Sequence, residues 1–176
     1  MSHANPYQIK WTVEKYSTGG LAIPSLTELE GDLKPYERVE IDSNMMLNQG
    51  RDLLNNMLMG SGSPTPLSAA NALVHVGNSS LAEAKTQTEL QAAGVYNDTS
   101  GTPMKWKKGM ESGFPQVVNG AIRYKARFLS AEANFAWNEF GVSNGTLLFN
   151  RKVASPSIGT KTVEDEWVFS VELNFV

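Results

Sequence analysis

Trp167, Phe169, Val171, Leu173 and Phe175 alternate with Val168, Ser170, Glu172 and Asn174 along the last stretch of the sequence. A period of two sends successive side chains to opposite faces. The segment is therefore predicted to be a long strand with one strongly apolar face, all five apolar residues pointing inward, and the rest of the chain must supply a second apolar surface to cover them. The same pattern recurs upstream. Residues 121–128 set Ile122, Tyr124, Ala126 and Phe128 inward and Arg123, Lys125 and Arg127 outward. Residues 138–143 and 147–153 flank Asn144-Gly145, and Asn-Gly between apolar runs is the strongest short-range hairpin signal here. Residues 7–16 alternate Ile9, Trp11 and Val13 against Lys10, Thr12 and Glu14. Residues 38–41 suit a short strand, and 72–76 a buried strand ending at Gly77.

Helical periodicity is confined to one place. Asn48 is placed to cap a helix over residues 49–59, with Leu53, Leu54, Met57 and Leu58 on one stripe and Gly60 as its stop. Residues 17–36 hold Gly19, Gly20, Pro24, Gly31 and Pro35 and suit a loop or extended arm. Residues 60–66 (GSGSPTP) make a flexible, turn-rich connection. Residues 79–93 are rich in alanine and glutamate and suit a partly helical segment. Residues 94–118 form a long polar stretch broken by Gly and Pro. The fold expected is mainly β: an antiparallel β-sandwich or jelly-roll-like domain with one short helix and an extended N-terminal arm. The division expected is a strand and arm over 1–36 and a single-core domain over 37–176, with the flexible connection near 60–66.

Composition narrows the function. With 176 residues, 41% hydrophobic and 19% charged, the chain is long enough to bury one sizeable core. A formal charge of −3 argues against broad electrostatic binding of nucleic acid. Cysteine is absent, so disulfides, thiolate nucleophiles and Cys-based zinc sites are out of reach. No stretch approaches the ~18 consecutive apolar residues of a membrane span. The start, MSHANPYQIKW, lacks the basic region and apolar run of a secretory signal, so synthesis and folding are expected in cytosol.

No catalytic set, cofactor or metal site is predicted. The histidines are His3 and His75, and His75 lies inside an apolar strand, where a structural role is expected. No G-x-S-x-G elbow or phosphate-binding glycine pattern occurs. Glu164, Asp165 and Glu166 suit a solvated turn better than a glycosidase pair. Residues 97–101 lack the calcium-loop pattern. Met45, Met46, Met57 and Met59 suit core filler. Glu139, between Trp137 and Phe140, needs a partner, and Arg151 across the hairpin is the natural one.

The order of short motifs from residue 44 onward resembles a family of small structural proteins of tailed bacteriophage particles. Asn48-Gln49-Gly50 opens the helix, and LVHVG at 73–77 gives a strand ending in V-G. Thr88-Glu89-Leu90 and Gly113-Phe114-Pro115 follow. ANFAWNE at 133–139, then L-x-N-R-K-V at 148–153, Gly159-Thr160-Lys161 and the alternating end complete the pattern. The resemblance spans about three quarters of the chain and implies structural roles for Trp137, Glu139, Asn144, Gly145, Asn150, Arg151 and Trp167. It implies a virion protein made in host cytoplasm, foremost a capsid decoration (cement) protein that binds the head shell. Its partners would be the major capsid protein or other virion proteins and itself, as a homotrimer. A tail, neck or baseplate component is the alternative, and a carbohydrate-binding jelly-roll module a more distant one. Buried tryptophans would favour assembly; tryptophans exposed on one concave face would favour sugar binding. Neither nucleic acid nor membrane is expected as partner. The surface expected to meet a partner comprises Ile9, Trp11, Leu21, Ile23 and Leu26 of the arm and the basic face Arg123, Lys125 and Arg127, preceded by Lys105, Lys107 and Lys108.

Overall fold

The structure, a computed structural model, describes residues 7–42, 45–102 and 104–175. Ten strands and two helices follow in the order β1 (Tyr7–Ser17), α1 (Leu26–Asp32), β2 (Glu37–Asp42), β3 (Met45–Met46), α2 (Asn48–Met59), β4 (Leu73–Gly77), β5 (Lys105–Gly109), β6 (Gln116–Val118), β7 (Ala121–Phe128), β8 (Glu139–Ser143), β9 (Leu148–Val153) and β10 (Asp165–Phe175). They form two antiparallel five-stranded sheets, ordered β2-β1-β10-β7-β6 and β3-β9-β8-β4-β5. This is the antiparallel β-sandwich that the alternation predicts.

The terminal strand sits at the centre of the first sheet. It pairs with β1 from Tyr7↔Phe175 to Ser17↔Asp165 and with β7 on its other side. Its inward residues Trp167, Phe169, Val171 and Leu173 are buried, as expected; the side chain of Phe175 lies outside the described ones. They meet an aromatic cluster from both sheets. Trp137 stands edge-on to Trp167 and Phe128 with ring centroids 4.8 Å apart, and Trp11 lies 5.4 Å from Phe169. Tilted and edge-to-face pairs add to the gain from area burial.

Several expectations need correction. The N-terminal strand is not peripheral: β1 lies between β2 and β10, and Ile9, Trp11 and Val13 belong to the common core. Among the described residues the helices number two. α1, capped by the Ser25 hydroxyl accepting from Glu28 N, folds over the outer face of the first sheet. There Leu29 packs on Tyr16 and Val168 in a small second core. The sequence hid α1 because it is one short element among glycines and prolines.

Residues 79–93 form no helix, and 94–118 contain β5 and β6. The Asn144-Gly145 hairpin exists, yet its loop runs over four residues, and the register shifts between Val142 and Ser143. The tight two-residue turn is Asn119-Gly120, with φ of 52° and 83° at its two residues. Both values are positive, as that turn requires.

α2 closes one end of the sandwich. It starts after Leu47 without a side-chain cap and stops at Gly60, whose φ is 62°. A Cβ on Gly50 would lie 2.0 Å from the Phe149 carbonyl oxygen, so only glycine lets α2 lie this close to β9. That is a physical reason for the glycine of the N-x-G motif. Among the described residues, no helix is long and apolar enough to cross a membrane.

Candidate assembly surface

Glu139 and Arg151 meet across β8 and β9, both with side chains 0% exposed and Arg151 Nη2 2.7 Å from Glu139 Oε2. The pairing expected from the sequence is thus present, and its reach is wider. Glu139 also accepts hydrogen bonds from Gln91 N and Ala92 N, at 2.9 and 2.7 Å. Arg151 donates to Leu81 O, Ala82 O and Gln87 Oε1. Every one of these partners lies in the loop between β4 and β5. The ion pair therefore staples that loop over the outer face of the second sheet, where Leu90 packs against Leu47 and Leu148. A buried charge is tolerable only when paired and hydrogen-bonded, and here both conditions hold. Gly77 belongs to the same device. A Cβ there would lie 2.6 Å from Glu139 Oε1, so the glycine ending β4 makes room for the carboxylate.

Trp137 and Trp167 are core residues. Trp137 Nε1 donates to Ala133 O at 3.0 Å. Asn144 Oδ1 accepts from Thr146 N and Leu147 N, while its amide nitrogen donates to Thr65 O. Asn150 Oδ1 accepts from Val142 N at 2.8 Å, replacing a ladder bond where the register shifts. Gly145, at φ 87°, turns the loop. Asn144, Gly145 and Asn150 shape the β8–β9 hairpin of the second sheet.

The predicted partner surface does not survive as drawn. Ile9 and Trp11 are buried at 3% and 0% exposure beneath the chain's own core. Ile23 and Leu26 pack with Leu29. Leu21 alone of the five stays open, at 70%. The basic face is neutralised in place: Arg123 pairs with Glu172 at 2.5 Å and Lys125 with Glu30. Arg127, 5% exposed, lies 3.3 Å from Glu166 and donates to Ile23 O. Burial pushes the Glu166 carboxyl up, and the Arg127 guanidinium opposes that. Lys105 and Lys108 pair with Glu89 and Glu132, and Lys107 sits over the Tyr96 ring. Glutamates on β10 and α1, 39 or more residues away in sequence, neutralise the stripe, which is why it looked free in the sequence alone.

Two further buried bases, His75 and Lys161, belong to the polar interior. His75 Nε2 lies 2.7 Å from Ser143 Oγ with Tyr96 edge-on to the ring; burial, then Lys107 and Lys105, lower its pKa to about 3. Lys161 donates to Leu129 O at 2.7 Å and Asn134 Oδ1 at 3.0 Å, tying two loops together, and burial lowers its pKa to about 8. His75 and Ser143 are 6% and 3% exposed, closed to a substrate. Among the described residues, no group of three or more His, Cys, Asp or Glu could hold a metal ion.

What remains open is an apolar patch that sequence reasoning missed. Leu58, Met59 and Met57 at the end of α2 are 81%, 69% and 41% exposed, and Val117 on β6 is 74% exposed. Between them lies a cleft of about 330 Å³ lined by Leu54, Met57, Leu67, Val117, Ile122 and Leu173, among others. The sequence held a signal: three consecutive apolar residues, 57–59, cannot all face the core of one helix. No family model, curated protein or solved structure matches the chain.

Proposed function

We propose that the protein is a structural component of a tailed bacteriophage particle that acts by docking, foremost as a decoration protein on the head shell. The observation that carries an assembling role is the exposed apolar patch around the α2 and β6 cleft. Large apolar side chains left open beside an apolar cleft mark an interaction site. The buried polar groups at Glu139, Arg151, Lys161 and Asn150 fit a scaffold, since each is spent on holding a loop or a register. The motif order from Asn48 to the terminal strand supports placement in the phage particle. The close approaches at Gly50 and Gly77 give two of those motif glycines a structural reason. All four tryptophans, Trp11, Trp106, Trp137 and Trp167, are buried, which leaves no tryptophan platform for a sugar ring and favours assembly over glycan binding.

On a shell, copies of the protein are proposed to sit in threes beside the major capsid protein. The test is cosedimentation of purified protein with empty capsids and with isolated tails of its phage. Saturable pelleting with capsids is expected. Pelleting with tails alone moves the protein to the tail, and no pelleting with either overturns the reading.

A further inference from the structure

Each outer strand of a sheet exposes backbone donors and acceptors that invite a further strand unless something closes them. Three of the four outer strands here are closed or too short. Along β5, Asn97 acts as a plug: its Oδ1 accepts from Lys107 N, its Nδ2 donates to Lys107 O, and its own N–H donates to Lys105 O. β2 carries Glu37, Arg38, Glu40 and Asp42, with Arg38 and Glu40 tied into ion pairs. β3 has two residues. Among the described residues, β6 (QVV) has neither charge nor plug.

The register fixes what β6 offers. The Asn119-Gly120 turn closes on the Val118↔Ala121 pair, so the next pair, Val117↔Ile122, is the non-hydrogen-bonded kind. The N–H and C=O of Val117 therefore point away from β7, to the open side. Cross-strand neighbours share a face. The Val117 side chain stands on the same face as Ile122, which lines the cleft under α2. A strand added beside β6 would place the residue opposite Val117 on that face, directed into the cleft.

We infer that β6 and the cleft together form a strand-addition site for an extended apolar segment of another protein, with one large apolar side chain seated among Leu54, Met57 and Ile122. The size of the site selects this occupant over a second copy of the chain. β6 is three residues long. The cleft beside it, about 330 Å³, has room for one large side chain and not for the face of a second domain. A segment needs only a few main-chain hydrogen bonds and a pocket for an alternate side chain. As a statement about where a virion partner grips, this rests on the proposed function. The site itself does not.

The test uses the intact protein and a random-peptide display library, so no phage component is assumed. Two variants block the site in different ways. Val117→Pro removes the outward N–H, which makes no bond to β7, and proline is tolerated on an edge strand. Met57→Arg puts a charge over the cleft from an exposed helix position. Selected peptides are expected to carry apolar residues at alternate positions. They should bind at least about tenfold more weakly to either variant, and on binding should slow hydrogen exchange at the Val117 amide. The inference is overturned by peptides that ignore both variants, by no selection at all, or by a wild-type dimer that Val117→Pro converts to monomer. Peptide binding without any attachment to capsids or tails would leave the site standing and remove the virion reading. Attachment unaffected by both variants would do the reverse.

Discussion

Removing Arg151 tests whether one ion pair holds the outer layer of the second sheet. Arg151→Met deletes the guanidinium while keeping much of the side chain's volume. Glu139, 0% exposed, then keeps two amide donors but loses its counter-charge, and Leu81 O, Ala82 O and Gln87 Oε1 lose their donor. Breaking one partner of a buried pair costs about 3–5 kcal/mol. Glu139→Leu strands Arg151 in the same way, at a similar cost. The double variant holds no buried charge, and the loop carbonyls can turn to water. Its cost should fall short of the sum of the two singles by at least about 2 kcal/mol. Urea unfolding at equal slopes gives the three values. Hydrogen exchange supplies the local readout: the Gln91 and Ala92 amides should lose protection in Glu139→Leu and in the double variant, and exchange faster in Arg151→Met as the loop loosens, while β1 and β10 stay protected. Single costs that add within about 0.5 kcal/mol, with unchanged exchange at Gln91 and Ala92, would refute the staple.

Four further outcomes follow from the same geometry. Trp167→Ala, at the centre of the aromatic cluster, should cost about 3–5 kcal/mol in chemical denaturation. His75 stays neutral in the fold down to about pH 3, whereas the unfolded chain takes up a proton near pH 6.5. Stability should therefore fall by about 1.4 kcal/mol per pH unit below 6.5, a slope missing from His75→Gln. Lys161 has the same sign at higher pH: the native state releases its proton from about pH 8 and the unfolded chain only near 10.5. Stability should rise across that window relative to Lys161→Met, as paired melting curves would show. Deleting residues 1–17 removes a strand paired on both sides and should leave the remainder without a cooperative melting transition.

The strands legible in the sequence were those with one clean apolar face. The pattern Trp167, Phe169, Val171, Leu173 survives because the sandwich buries one face of β10 along its length. Val168 shows where such a pattern misleads: it points outward and is still buried, because α1 folds back over that face. Glu139 and Arg151 stood out as charges among aromatic and apolar neighbours, yet Gln91 and Ala92 did not, since they contribute backbone amides that no side-chain pattern reveals. The apparent basic surface failed for a related reason. Glu30, Glu132 and Glu166 neutralise Lys125, Lys108 and Arg127 from distant stretches of chain. The apolar patch was missed because Met57 and Leu58 fit a helical stripe, and only the position of α2 at the end of the sandwich shows that the core runs out before reaching them.

A reconstruction of the intact phage particle tests the central claim most directly. The account predicts this two-sheet domain at regular positions on the outside of the head shell, grouped in threes, with the α2 and β6 end turned toward a neighbouring protein. Particles whose head and tail are fully accounted for by other chains, with no density matching this sandwich, would contradict it.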